Sequence, residues 1–127
     1  MTSTPLVNKL HIKEHQMIAV LNPPPGYRDL LGELPEGVQV YERLEGSYDL
    51  IQAFFFNSED LSKQIEALKD ALKVDGILWI SYQKISAKQD SDLNRDILRE
   101  LLAEINLKAV SLISINDTWS AMRFKHL

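Results

Sequence analysis

The sequence predicts an α/β fold, with a mostly parallel sheet closed by an antiparallel C-terminal strand. Three observations carry this. Two almost continuous apolar runs, Tyr48 to Phe56 and Ile77 to Tyr82, have the composition of strands covered on both faces. An amphipathic segment lies between them, and strand, helix, strand in that order implies a right-handed parallel crossover. A second amphipathic segment leads into two further β-competent runs divided by the polar pair Asn116-Asp117, the pattern of an antiparallel hairpin.

In chain order, Met17 to Leu21 is a short apolar strand ended by Asn22-Pro23-Pro24-Pro25-Gly26, because proline has no N–H to give a sheet. Tyr27 to Leu34 fits a short helix with Leu30, Leu31 and Leu34 on one side, stopped by Pro35 and Gly37. Val38 to Leu44 alternates apolar and polar residues as an edge strand does. Only Glu45, Gly46 and Ser47 separate it from the next strand, whereas a parallel crossover needs about a dozen residues. It is therefore either a short edge strand with an extended return or an antiparallel partner.

After the central strand, Asn57 or Ser58 offers an N-cap, Glu59 and Asp60 place negative charge in the first turn, and Leu61, Ile65, Leu68 and Leu72 recur at helical spacing. Lys73-Val74-Asp75-Gly76 supplies a turn into the strand from Ile77. A polar loop, Ser86 to Ser91, precedes a helix with the apolar stripe Leu93, Ile97, Leu98, Leu101, Leu102 and Ile105. Leu107 to Ile115 and Thr118 to Lys125 complete the hairpin.

At 127 residues and 14.5 kDa the chain is expected to form one domain, 1–127. With 45% apolar residues it can bury roughly two-thirds of its unfolded surface. The 14 Lys+Arg against 18 Asp+Glu leave a net charge of −4, which argues against a nucleic-acid binder, since these need a basic stripe. Cysteine is absent, so disulfides, thiolate zinc sites and cysteine nucleophiles are excluded, and a reducing cytoplasm is the expected location. The longest apolar stretches fall well short of the ~20 residues of a membrane helix, and Met1 to Lys13 lacks the apolar run of a signal peptide. No membrane contact is expected.

The motifs are sparse. His11-Ile12-Lys13-Glu14-His15 matches H-x-x-E-H, in which two histidines one helical turn apart hold zinc and the glutamate activates water. That motif needs a helix, and this segment runs directly into a strand, so a solvated loop with two surface histidines is expected and no metal is assigned. No glycine-rich phosphate loop and no Gly-x-Ser-x-Gly elbow occurs. Asn22-Pro23-Pro24-Pro25 is similar to the Asn-Pro-Pro-aromatic signature of amino-group methyltransferases, but Pro25 replaces the aromatic ring. It also follows the first strand instead of the fourth, so it reads as a rigid loop capping a strand.

From Tyr48-Asp49-Leu50-Ile51 through Ala71-Leu72-Lys73-Val74-Asp75-Gly76-Ile77-Leu78-Trp79-Ile80-Ser81 the chain resembles the middle of a class I S-adenosylmethionine methyltransferase. Nearly the whole chain also resembles an uncharacterised bacterial domain family of unknown function, through Lys9-Leu10-His11-Ile12, Asp75-Gly76-Ile77-Leu78-Trp79-Ile80, Lys84, and Thr118-Trp119-Ser120-Ala121-Met122-Arg123-Phe124. Members of that family commonly have glycine where this chain has His11 and proline where it has Gln83. The resemblance implies a Rossmann-like three-layer sandwich, a reduced methyltransferase-like fold, and no established activity.

In open α/β sheets ligands lie beyond the carboxyl ends of the strands. The residues expected there are Asn22, Tyr27, Asn57, Lys84, Asp117, Trp119 and Ser120. Lys84 suits an anion, Trp119 a planar group, and the asparagines a polar edge. Each also has a structural reading: Trp119 closing the core, Asn57 capping a helix, Lys84 a solvated end. The leading expectation is a non-catalytic module that binds a small molecule or a protein partner, with no cofactor predicted and no catalytic residue assigned. Self-association through a sheet edge is a further expectation. The alternative is a minimal S-adenosylmethionine-dependent methyltransferase-like enzyme, for which Glu42 is the candidate ribose-binding acid.

Overall fold

A computed structural model of the chain describes residues 5–84 and 92–127; the polar loop expected over Ser86 to Ser91 lies outside them. The elements are α1 (Leu6–Lys9), β1 (Met17–Leu21), α2 (Tyr27–Leu31), β2 (Gln39–Tyr41), β3 (Tyr48–Phe54), α3 (Ser58–Ala71), β4 (Leu72–Gln83), α4 (Arg95–Ala103), β5 (Leu107–Ser114) and β6 (Trp119–His126). They form one six-stranded sheet in the order β2-β1-β3-β4-β6-β5. The first four strands are mutually parallel, and β6 runs antiparallel to both of its neighbours.

Alternation along each strand sends side chains to two faces. Ala19, Ile51, Ala53, Leu78, Ile80 and Phe124 pack with Leu61, Ile65 and Leu68 of α3 and Leu98 and Leu102 of α4. On the other face Ile18, Val20, Leu50, Phe54 and Trp79 pack with Val7, Leu10, Tyr27 and Leu31 from α1, α2 and their flanks. The result is the expected three-layer sandwich. The sequence shows no apolar periodicity before Met17, so α1 was not expected; it is held by Leu10, whose carbonyl accepts from the buried Trp79 Nε1–H at 3.0 Å.

The segment around β2 is a short edge strand with an extended return. Gln39, Val40 and Tyr41 pair with Met17, Ile18 and Ala19, at the start of β1 only. Tyr41 and Ile51 share the level of Ala19 on opposite sides of β1, so residues 42–47 need to return about 10 Å along the strands and about 10 Å across β1 to reach Tyr48. No helical crossover is required for that distance. The Tyr48 phenol fixes the return, accepting from the Glu45 N–H at 3.0 Å and donating to the Arg43 carbonyl at 2.9 Å. Its ring meets Tyr41 edge-on, with centroids 5.7 Å apart.

Helix α3 starts as its sequence dictates: the Asn57 side chain accepts from the Asp60 N–H at 2.8 Å. Asp92 adds a carboxylate at the same end, taking the Ser58 N–H at 2.8 Å, where it faces the positive end of the helix dipole. The turn expected at Lys73 to Gly76 is instead part of β4, which begins directly at Leu72. Residues 73–75 are exposed and the β3–β4 register shifts there, so the strand carries an outward excursion in place of a turn. Gly76 closes it: a Cβ at that position would lie 2.9 Å from the Lys73 carbonyl oxygen, closer than any side chain tolerates.

His11 and His15 both adopt φ of 63°. The H-x-x-E-H residues therefore do not lie on a helix, and among the described residues no three His, Cys, Asp or Glu side chains are grouped to hold a metal. At position 11 that left-handed backbone is one that glycine adopts without strain. His11→Gly is expected to raise the unfolding free energy by up to about 1 kcal/mol, read as a higher urea midpoint at unchanged slope; a lower midpoint would refute it. Burial, Arg123 and Lys13 hold the His11 imidazole below its ordinary value of 6.5. Folded protein thus resists protonation more than unfolded chain, and this part of the stability, complete above 6.5, is lost as pH falls below it. The glycine variant lacks that loss. Among the described residues no helix is long and apolar enough to cross a membrane.

Candidate functional site

The carboxyl ends of the parallel strands carry two differently built regions. On the β3 side, the chain leaves β1 through Asn22, whose φ of 54° turns the backbone sharply. Its amide donates to the Phe54 carbonyl at 3.4 Å, fastening the end of β1 to the end of β3. The prolines that follow give no N–H. Gly26, at φ 80°, then feeds α2 and brings Tyr27 under the rim.

Tyr27 is 2% exposed, and its hydroxyl donates to Gln52 Oε1. Gln52 is itself buried at the middle of β3 and reaches Ser81 Oγ at 3.4 Å. A polar group inside a sheet needs such partners. Burial raises the Tyr27 pKa well above the ordinary tyrosine value, against a smaller opposing effect from Gln52, so the phenol remains a neutral donor.

Above this network four rings form a continuous edge-to-face chain. Tyr27 and Phe54 have centroids 4.8 Å apart, Phe54 and Trp119 5.1 Å, and Trp119 and Phe56 5.3 Å. Trp119 is 4% exposed and Phe56 53%. The rings cover the ends of β3 and β6 and leave Phe56 as the outer lid of the cluster.

On the β2 side the rim is open. An open cleft of about 730 Å³ is lined by Arg28, Val40, Tyr41, Glu42, Arg43 and Glu45. A second of about 330 Å³, lined by Pro23, Pro24, Gly26, Tyr27, Arg28 and Asp29, meets it at Arg28. Arg43 Nε and Glu45 Oε1 pair at 2.7 Å, which partly neutralises one wall. Glu42 follows β2 directly.

The residues expected from sequence fall into separate places. Asn22, Tyr27 and Trp119 come together around Phe54, but each is occupied inside the fold. Asn57 serves α3, its second amide contact being to Asp60 Oδ2 at 3.3 Å. Lys84, Asp117 and Ser120 gather at the β5–β6 hairpin, where Asp117 is exposed and Ser120 half-buried opposite Tyr82 and Ser114. Neither open cavity is lined by Asn22, Lys84 or Trp119. Arg28, Tyr41 and Arg43 were not expected at a site; only Glu42, placed at a strand end, pointed to that cleft.

No protein-family model and no curated protein matches this chain. Solved structures do match it, over nearly its whole length. A ribosomal protein L11 methylase from Lactobacillus delbrueckii subsp. bulgaricus aligns with TM-score 0.61 at 14% identity, covering 94% of this chain and 74% of its own. A SAM-dependent methyltransferase from Aquifex aeolicus aligns with TM-score 0.60 at 14% identity, covering 94% and 86%. The DhpI–SAH complex aligns with TM-score 0.62 at 11% identity, covering 96% and 82%. At these identities the likeness is one of fold, and the fold of this chain is that of the S-adenosylmethionine-dependent methyltransferases.

Proposed function

We propose that this protein is a non-catalytic small-ligand-binding module on a methyltransferase-like fold, and that the ligand occupies the cleft between Arg28 and Glu42. The ring chain Tyr27–Phe54–Trp119–Phe56 carries this reading. A crevice forms where neighbouring connections leave a strand in opposite directions, here at β1, which lies between β2 and β3. Its β3 half is filled by aromatic rings and its β2 half is open.

The residues do not fit S-adenosylmethionine as a reacting methyl donor. The first turn is Asn22-Pro23-Pro24-Pro25, with no backbone donors on the prolines. The polar side chains nearest the strand ends are engaged: Asn22 with Phe54, Tyr27 with Gln52, Asn57 with Asp60. The open cleft instead suits a small polar molecule. Arg28 meets its anionic group, the Glu42 carboxylate accepts from hydroxyl or amino groups, and Tyr41 offers a ring edge.

Calorimetry with S-adenosylhomocysteine, S-adenosylmethionine and adenosine tests this. Saturable binding of at least one of them is expected, weakened about tenfold by Glu42→Ala or Arg28→Ala, with no S-adenosylhomocysteine formed from S-adenosylmethionine. Absence of binding by all three, or binding that both variants leave unchanged, would overturn the assignment of the cleft. The second reading, a minimal methyltransferase, is favoured by Glu42 lying directly after β2 and by the fold of the matched structures. Methyl transfer to any offered nucleoside, peptide or tRNA acceptor would establish it in place of the first.

A further inference from the structure

A second region differs in charge from the rest of this acidic molecule. At the carboxyl end of the sheet's antiparallel half, two ammonium groups converge on Ser114. Lys84 Nζ donates to Ser114 Oγ at 2.6 Å, and Lys9 Nζ donates to the Ser114 carbonyl at 3.4 Å. The frame around them is held by backbone bonds. The Lys84 N–H donates to the Thr118 carbonyl at 2.8 Å, and the Asn116 side chain accepts from the N–H groups of Thr118 and Trp119, both at 2.9 Å.

Among the described residues neither lysine meets a carboxylate. The ion pairs among the described residues are Arg43–Glu45, Lys63–Glu59 and Lys73–Asp49, all elsewhere. Further along β6, opposite Ser111, Arg123 has its Nε buried without a hydrogen-bond partner among the described residues. Beside burial, Arg123 and Lys13 also lower the His11 pKa. In a chain with 18 acids to 14 bases, two ammonium groups converging on one serine with no ion pair among the described residues is a local departure from the average.

We infer that Lys9, Lys84 and the Ser114 hydroxyl form a binding site for a tetrahedral oxyanion, such as the phosphate group of a small metabolite. The site is separate from the Arg28–Glu42 cleft and does not depend on it. Lysine ammonium groups act as point charges suited to phosphate, and the serine hydroxyl, which donates to the Asn116 carbonyl at 3.4 Å, turns from that neutral acceptor to donate a third bond. The free state is preorganised, because both ammonium groups are already parked on one residue. An incoming anion replaces neutral acceptors with charged oxygen and moves neither chain.

The test is titration of the whole protein with inorganic phosphate at constant ionic strength, followed by amide and lysine NMR shifts. Saturable shifts centred on Lys84, Ser114 and Thr118 are expected. Lys9→Ala and Lys84→Ala each weaken binding roughly fivefold or more, while Lys63→Ala on α3 leaves it unchanged. Acetate binds at least about tenfold more weakly, lacking the third oxygen. Linear, non-saturating shifts, equal binding of acetate, or indifference to both lysine variants would each overturn the inference. Thermal melting of the variants confirms that substitutions at the half-buried Lys9 and Lys84 and the exposed Lys63 leave the fold intact.

Discussion

Replacing Trp79 with alanine is expected to lower the free energy of unfolding by about 3–5 kcal/mol. The ring is fully buried between β3, β6 and the N-terminal segment, so its loss leaves a cavity that rigid strands cannot collapse around. It also frees the Leu10 carbonyl, the acceptor of its Nε1–H at 3.0 Å. A buried carbonyl without a partner adds its own desolvation cost. A total stability of about 5–15 kcal/mol is ordinary, so the variant should be largely unfolded at modest urea. Trp79→Phe separates the two effects: it retains most of the ring volume but not the donor, and a loss near 1–2 kcal/mol is expected for it. Wild-type denaturation midpoints for the alanine variant would refute the assignment.

The second large effect concerns the buried line Tyr27–Gln52–Ser81. Tyr27→Phe strands the Gln52 oxygen, and Gln52→Leu strands the Tyr27 hydroxyl, each inside the sheet's packing layer. Each change alone is expected to cost about 1–3 kcal/mol. The double variant removes both partners and should cost less than the sum, leaving a favourable coupling of at least about 1 kcal/mol. Urea denaturation of all four proteins gives the cycle. Strict additivity would mean that the two groups do not depend on each other. The same variants bear on function, because Tyr27 forms the floor between the closed and open halves of the rim.

Where local chemistry decides structure, the sequence was readable. β1 runs from Met17 to Leu21 because prolines end it, and α3 begins after Asn57 because its side chain caps the Asp60 N–H. The hairpin turns at Asn116 because its side chain takes two consecutive N–H groups. The parts that were not readable depend on distant partners. α1 has little helical signal of its own and is held by Trp79, sixty-nine positions away. The 73–75 excursion follows from how β4 must pair with β3, not from its turn-like composition.

The candidate site was less legible for a related reason. Asn22 and Trp119 lie at strand ends and Tyr27 opens α2, yet whether a side chain at such a position faces solvent or a neighbour depends on packing across the sheet. Phe54 decides it here, drawing Tyr27 and Trp119 against its two sides. The residues that do line open space, Arg28 and Arg43, look in sequence like ordinary solvated charges.

The short pairing of β2 sets how the molecule breathes. Three rungs on one side of one strand, Gln39 to Tyr41 on Met17 to Ala19, make up its strand pairing, whereas β3 and β4 are paired along both edges. Local opening proceeds first where least is lost, so residues 39–47 detach at a free energy far below that of global unfolding. That segment is also one wall of the Arg28–Glu42 cleft. A ligand held there closes the weakest seam of the fold, and its binding will register as slowed amide exchange in β2 before it registers anywhere else.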